Sequence, residues 1–257
     1  MNGELAKPSL PLREGDLVDY EVTARPDFVV EPEDLPLEIV FEDDDLLIVN
    51  KPAGMVTHPA HGASDGTLVN ALLAHAPSLP GERVRAGLIH RLDRDTSGLI
   101  AIAKTPEALG TLGRAMQKRY IHREYLALVR GIPSAPEGTI DGPIGRDPTN
   151  RLRFAIRTDG KPAVTHYALR EKLNAAAEVL VRLETGRTHQ IRVHLATIGH
   201  PVINDPIYGR TDHRLGLPGQ ALHAWHLDLK HPRTKELLNF EVEPPPEYLA
   251  AREFLRG

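Results

Sequence analysis

Apolar positions come in short runs separated by charge and turn residues, and the period of each run predicts an element. Glu38-Ile39-Val40-Phe41 and Leu46-Leu47-Ile48-Val49-Asn50 flank Asp43-Asp44-Asp45, a hairpin pattern, and Lys51-Pro52-Ala53-Gly54 closes the second strand with turn residues. Thr67 is placed to cap a helix over residues 68–76 whose apolar face is Leu68, Leu72 and Leu73. Ser97-Gly98 signals a turn ahead of Ile100-Ala101-Ile102-Ala103, a run apolar enough for a buried strand. Thr105-Pro106-Glu107 joins a capping hydroxyl, a proline at the first helical position and an acid favoured by the helix dipole, so a helix should run to about Arg119.

Strands are expected at 125–129, 138–144, 152–157, 163–170 and 178–184; in the last, Val179, Val181 and Leu183 face one way while Arg182 and Glu184 alternate with them. Residues 188–199 read as a helix capped by Thr188 and ended by Gly199, with Ile191, Leu195 and Ile198 as its core stripe. Two strands, near 221–230 and 235–242, and a helix near 247–255 close the chain. Many strands with few scattered helices indicate a mixed α+β body. Before it, residues 12–22 read as a turn and one strand, and residues 26–36 as an extended linker rich in proline and acid.

Composition adds exclusions. At 257 residues, 41% hydrophobic and 26% charged, the chain can bury a core unaided. It has no cysteine, which removes disulfides, thiolate metal sites and cysteine nucleophiles. No apolar run approaches membrane-spanning length, and the first eight residues have no basic-then-apolar pattern, so a cytoplasmic protein is expected. A formal net charge of −4 argues mildly against nucleic acid, but its distribution argues the other way. Acids gather at 31–34, 42–45 and 241–247, whereas Arg83, Arg85, His90, Arg91 and Arg94, then Arg114, Lys118, Arg119, His122 and Arg123, then Arg187 and Arg192, occupy three interior segments. A fold that joins those segments has a basic cleft on an acidic body.

The segment from His90 to Asp95 sets two carboxylates among cations directly before a central strand. Met in isolation, it is a solvated loop with local ion pairs. An aspartate acting as a nucleophile must stay ionised in a partly desolvated site and needs a cation nearby. Arg192, in the first turn of its helix and beside a core stripe, is the best candidate; the plainer reading is a surface arginine. Tyr125 is either core packing or a platform for a planar ligand. Among thirteen histidines, His189 and His194 stand five apart, unsuited to a helical metal pair, and HExxH, GxGxxG, Walker A and GxSxG patterns are missing. No metal and no nucleotide cofactor is expected.

The ordered set Asn50-Lys51-Pro52-Ala53-Gly54 with His58-Pro59, His90-Arg91-Leu92-Asp93 with Thr96-Ser97-Gly98-Leu99, Arg123-Glu124-Tyr125-Leu126-Ala127-Leu128-Val129, Thr185-Gly186-Arg187-Thr188-His189-Gln190-Ile191-Arg192, Gly199-His200-Pro201, Asp205-Pro206, Tyr208-Gly209, Leu222-His223-Ala224 and His231-Pro232 resembles the RluA/RluD-type pseudouridine synthases, which act on ribosomal large-subunit RNA. The likeness spans residues 37–246. It implies an α+β fold with a mixed, mainly antiparallel central sheet, flanking helices and a catalytic cleft. It implies isomerisation of selected uridines in structured RNA without a cofactor, with transfer RNA as the alternative substrate and a non-catalytic RNA-binding or ribosome-assembly protein as the rival of another class.

Carried over, Asp93 is the nucleophile, Tyr125 the active-site tyrosine near the base, Arg192 the basic partner of Asp93, and Arg91 the residue that fills the space left by a flipped uridine. Arg94, Lys118, Arg119, Arg123, Arg187 and His189 are the other expected RNA contacts. Cleaving the bond from ribose to base develops a cation-like sugar that a carboxylate can meet, and a stacked base must be extruded to reach it. A monomer is expected, with residues 1–30 a remnant of an N-terminal RNA-binding domain (like that of ribosomal protein S four) plus linker, and residues 31–257 the catalytic domain. Asn204 stands where glycine is more frequent, and Arg123 where lysine is; asparagine tolerates a left-handed backbone.

Overall fold

Residues 11, 13–18, 30–59, 63–150 and 152–257 are described by this computed structural model, and they hold eleven strands and four helices. The strand expected within 12–22 falls largely outside them. β1 (Glu38–Glu42) and β2 (Leu46–Lys51) pair as the expected hairpin. Its turn is closed by Asp43 Oδ1, which accepts from the N–H groups of Asp45 and Leu46, both at 2.8 Å. α1 (Leu68–His75) starts on a reciprocal cap in which Thr67 and Asn70 each accept from the other's backbone N–H. β3 (Ser97–Ala103) leads to α2 (Pro106–Gln117), capped by Thr105, and then to β4 (His122–Arg130). The short strands are β5 (Glu137–Asp141), β6 (Ile144–Arg146) and β7 (Phe154–Ile156); the longer β8 (Val164–Leu173) and β9 (Ala176–Leu183) precede α3 (Gln190–Thr197). β10 (Leu222–Lys230), β11 (Leu237–Glu241) and α4 (Pro246–Arg256) complete the order.

Nine strands make one sheet in the order β1-β2-β3-β10-β4-β9-β8-β5, with β11 also on β10; β6 and β7 form a separate ribbon. The β3–β10 pair is parallel and the rest are antiparallel, so the α+β, mainly antiparallel expectation holds. Both faces of β2 and β3 are covered. Leu47, Val49, Ile100 and Ile102 pack on the α1 side with Leu68 and Leu72; Leu46, Ile48, Leu99 and Ala101 pack on the α2 side with Ala108 and Leu112. That is why these strands read as continuous apolar runs, and each fully buried leucine or isoleucine contributes about 1.5–3 kcal/mol. No helix among the described residues is long and apolar enough to cross a membrane.

The sheet forks at β10, and the fork positions the site. His223 and Ala224 pair with Ser97 and Gly98 of β3, whereas residues 226–230 of the same strand pair with β11. His223 also pairs with Leu126 of β4, so the loop ahead of Ser97 opens beside the part of β4 that carries Tyr125.

Four local expectations are corrected. Ser97-Gly98 is no turn but the start of β3; Gly98 has φ +110°, and a Cβ there would stand 2.2 Å from Ala224 O. The strand expected over 138–144 breaks at Gly142-Pro143 into β5 and β6, since proline has no N–H for the ladder. Thr188 does not cap α3: the cap is His189 in the left-handed region (φ 57°), and the preceding turn is closed by the Gln190 side chain, whose Oε1 accepts from Thr185 Oγ1 at 2.7 Å and Arg187 N at 3.0 Å. Ile198 lies past the helix end and is exposed, while Ile191 and Leu195 are buried. Asn204 adopts the anticipated left-handed conformation (φ 59°).

Candidate active site

The His90–Asp95 segment is held from several sides. Thr57 Oγ1 donates to Leu92 O at 2.7 Å, Thr96 N donates to Asp93 O at 3.1 Å, and Gln220 Nε2 donates to Thr96 Oγ1 at 3.1 Å. Beneath it Lys51, fully buried at the end of β2, donates through Nζ to Pro52 O and Met55 O at 2.8 Å and to Arg94 O at 2.9 Å. One ammonium thus satisfies three carbonyls. Burial pushes its pKa down to about 7, against the pull of Asp95 and Asp93. A lysine closing an apolar strand was the signal for this role; the sequence reading saw turn chemistry and a member of the motif set there, and gave Lys51 no role of its own.

Asp93 is thereby presented to Arg192, ninety-nine residues away, whose Nη1 donates to Asp93 Oδ2 at 3.0 Å. Arg192 is buried in the first turn of α3 and is itself anchored by Asp205, which accepts from its Nε at 2.7 Å and Nη2 at 2.9 Å. Asp205 Oδ1 also accepts from the N–H groups of Ile207 and Tyr208. Burial would raise the pKa of Asp205, but Arg192 and those N–H groups outweigh it and hold the carboxyl below its usual range. The Tyr208 ring lies under the Arg192 guanidinium, 5.3 Å from ring centre to Cζ. Asp205 and Tyr208 were named only within the motif set and given no role at the site, because no local pattern tells that a loop aspartate will face a helix arginine.

The loop, the first turn of α3 with residues 183–189, β4 and the end of α2 enclose a cleft of about 470 Å³. Asp93, Tyr125 and Arg192 all line it, as do Arg91, Arg119, Arg123, Arg187 and His189. The three basic segments therefore converge. Arg94 and Lys118 do not line it: Arg94 pairs with Asp95 at 3.0 Å, and Lys118 is exposed at the end of α2. Arg119 pairs with Glu184, Arg187 Nε donates to Pro162 O at 3.1 Å, and Arg91 Nη1 lies 3.5 Å from His58 Nε2. His189 Nδ1 meets the Tyr208 hydroxyl at 2.9 Å, and that hydroxyl accepts from Phe154 N, which leaves its proton for His189. Tyr125 is buried, which raises its pKa, with the Asp93 charge adding and Arg123 opposing, so it stays a neutral phenol. His194 is bound elsewhere, to Thr165 Oγ1 and Gly142 O, both at 2.9 Å.

A paired carboxylate and arginine beside a buried aromatic ring, in a cleft of cations, suit a planar base on a charged backbone. The family model described as RNA pseudouridylate synthase matches residues 45–197, a span that contains Asp93, Tyr125 and Arg192. The chain belongs to the RNA pseudouridylate synthase family. This RNA pseudouridylate synthase is 52% identical over 232 residues to ribosomal large subunit pseudouridine synthase D of Nitrosomonas europaea, covering 88% of this chain and 67% of that protein. It is 44% identical over 269 residues to the protein of the same name from Vibrio parahaemolyticus, covering 100% and 82%. Among solved structures, human RNA pseudouridylate synthase domain containing 1 superposes with a TM-score of 0.66 at 31% identity, over 82% of this chain and 84% of that one.

Proposed function

We propose that this synthase isomerises uridines of large-subunit ribosomal RNA, with Asp93 as the nucleophile, and the contact of Arg192 with Asp93 at 3.0 Å is the observation that carries the reading. The names of the relatives support the substrate. The bond from ribose C1′ to uracil N1 breaks, C1′ rejoins at C5, the C5 hydrogen leaves as a proton and N1 gains one. Asp93 meets the positive charge that develops on the sugar, and Arg192 holds its carboxylate in place. Tyr125 lies flat against the flipped base, Arg91 enters the space the base leaves, and Arg94, Lys118, Arg119, Arg123, Arg187 and His189 follow the RNA strand. No cofactor enters this reaction. On this reading the protein works in the cytoplasm as a monomer.

Tritium release from RNA labelled at uridine C5 tests it, with ribosomal and transfer RNA assayed separately. Wild type should release tritium from ribosomal RNA and Asp93→Asn should not. Turnover by Asp93→Asn removes the nucleophile from the scheme, and release from transfer RNA alone removes the substrate.

A further inference from the structure

The cleft holds one cation that its neighbours leave unsatisfied. Arg123 is only 8% exposed, yet among the described residues it forms no ion pair, and its Nε is buried without a hydrogen-bond acceptor. Arg192, equally buried, binds two carboxylates, and Arg119 binds Glu184. The Arg123 guanidinium rests against bare backbone at Gly186, where a Cβ would come within 3.0 Å of Nη1. His90 also lines the cleft but supplies no charge: its Nε2 accepts from Ala101 N at 3.1 Å, so the ring proton sits on Nδ1, which is sealed from solvent. The ring remains neutral, because burial and the nearby Arg123 charge drive its pKa to about 3.

A buried guanidinium without a counter-charge destabilises the free protein. It is relieved by an anion with several acceptor oxygens that meets the outer nitrogens, Nη1 and Nη2. A uracil carbonyl or a ribose hydroxyl satisfies hydrogen bonds but leaves the charge uncompensated; a phosphodiester satisfies both. Arg123 and Tyr125 are two apart on β4 and so share its cleft face, which sets the cation one step along from the base platform.

We propose that the Arg123 guanidinium, through its outer nitrogens, forms a built seat for a single RNA phosphodiester, next to the nucleotide that lies on Tyr125. The seat rests on the reading that RNA occupies this cleft, and it assigns to Arg123 a role separate from the general basic surface. It makes RNA binding and the removal of a buried unpaired charge the same event.

The test compares wild type, Arg123→Met and Arg123→Lys. Binding of in vitro transcribed large-subunit ribosomal RNA is measured as a function of salt, and melting temperature is measured without RNA. Arg123→Met should lower the slope of log K against log salt by about 0.7–0.9, the effect of one lost phosphate contact, while Arg123→Lys keeps the slope. Free Arg123→Met should melt above wild type, the opposite of what a structural arginine does. An unchanged slope, a lower melting temperature or a failure of Arg123→Met to fold each overturns the seat. Tritium release by wild type, run in parallel, separates the two readings: its absence sinks the synthase assignment on this RNA, while the slope comparison still decides the seat.

Discussion

Asp205 grips Arg192 through two nitrogens, Nε at 2.7 Å and Nη2 at 2.9 Å, and so leaves Nη1 as the nitrogen that reaches Asp93. The guanidinium fork is planar and rigid, so fixing two corners aims the third. Asp205→Asn loses the charge and one of the two matched acceptors. We expect kcat to fall by up to about 100-fold with KM changed far less, as a misplaced catalytic partner produces. Steady-state tritium release against RNA concentration checks this; an unchanged kcat would mean that α3 alone holds the arginine. Arg192→Lys should do no better, because one ammonium cannot span both carboxylates in this geometry.

Lys51 holds the loop from below, and its removal tests the loop's rigidity. Lys51→Met keeps the apolar stem but strips the donors from the carbonyls of Pro52, Met55 and Arg94. Each buried acceptor left unpaired costs about 1–3 kcal/mol. The variant should melt several degrees lower and expose the backbone amides of residues 92–96 to hydrogen exchange. Protection equal to wild type at those amides would show that Thr57 and Gln220 suffice.

What the chain disclosed in advance divides by range. The hairpin around Asp43, the capped start of α2 at Thr105-Pro106 and the helix carrying Arg192 were legible because their causes lie within a few residues. The pairing of Arg192 with Asp93 was legible only through the chemistry an ionised aspartate needs and through the likeness of motifs. Ser97-Gly98 misled because a glycine required by a neighbouring strand, Ala224 at 2.2 Å from the missing Cβ, looks locally the same as a glycine required by a turn. Thr188 misled because Gln190 closes the turn instead, from inside the helix. Asp205 and the unpaired state of Arg123 exist only in the packed molecule, since each is defined by what stands opposite.

His90 makes stability depend on acid. In the folded protein its pKa is about 3, against 6.5 for a free imidazole. Between those values the unfolded chain takes up a proton that the native ring refuses, so stability is fully present above about pH 6.5 and is lost as pH falls. At about pH 4.5 the loss from this one group reaches up to about 3 kcal/mol. His90→Asn keeps an acceptor for Ala101 N–H without the titration. The difference in melting temperature between wild type and variant should therefore shift in the variant's favour from about pH 7 to pH 4.5. Parallel curves would show that the native ring protonates at an ordinary value.

Gly98 carries the sharpest prediction for the fold, because two independent requirements meet there. Its φ of +110° is a conformation that a residue with a side chain rarely adopts, and the position a Cβ would take is 2.2 Å from Ala224 O and 2.6 Å from Ala224 N. Those atoms belong to the β10 backbone at the parallel pairing that anchors the end of the Asp93 loop, so no side-chain rotation relieves the clash. Gly98→Ala must either part β3 from β10 or rebuild the loop. A loss above about 4 kcal/mol follows, a large share of the roughly 5–15 kcal/mol that holds a protein folded. Gly54→Ala is the control: it shares a positive φ of +87° but meets nothing within 4 Å, so strain acts there without a clash. Urea unfolding of the two variants should separate them by several kcal/mol. Equal losses would assign the cost at Gly98 to backbone strain alone and remove the close approach of β10 as the reason for glycine.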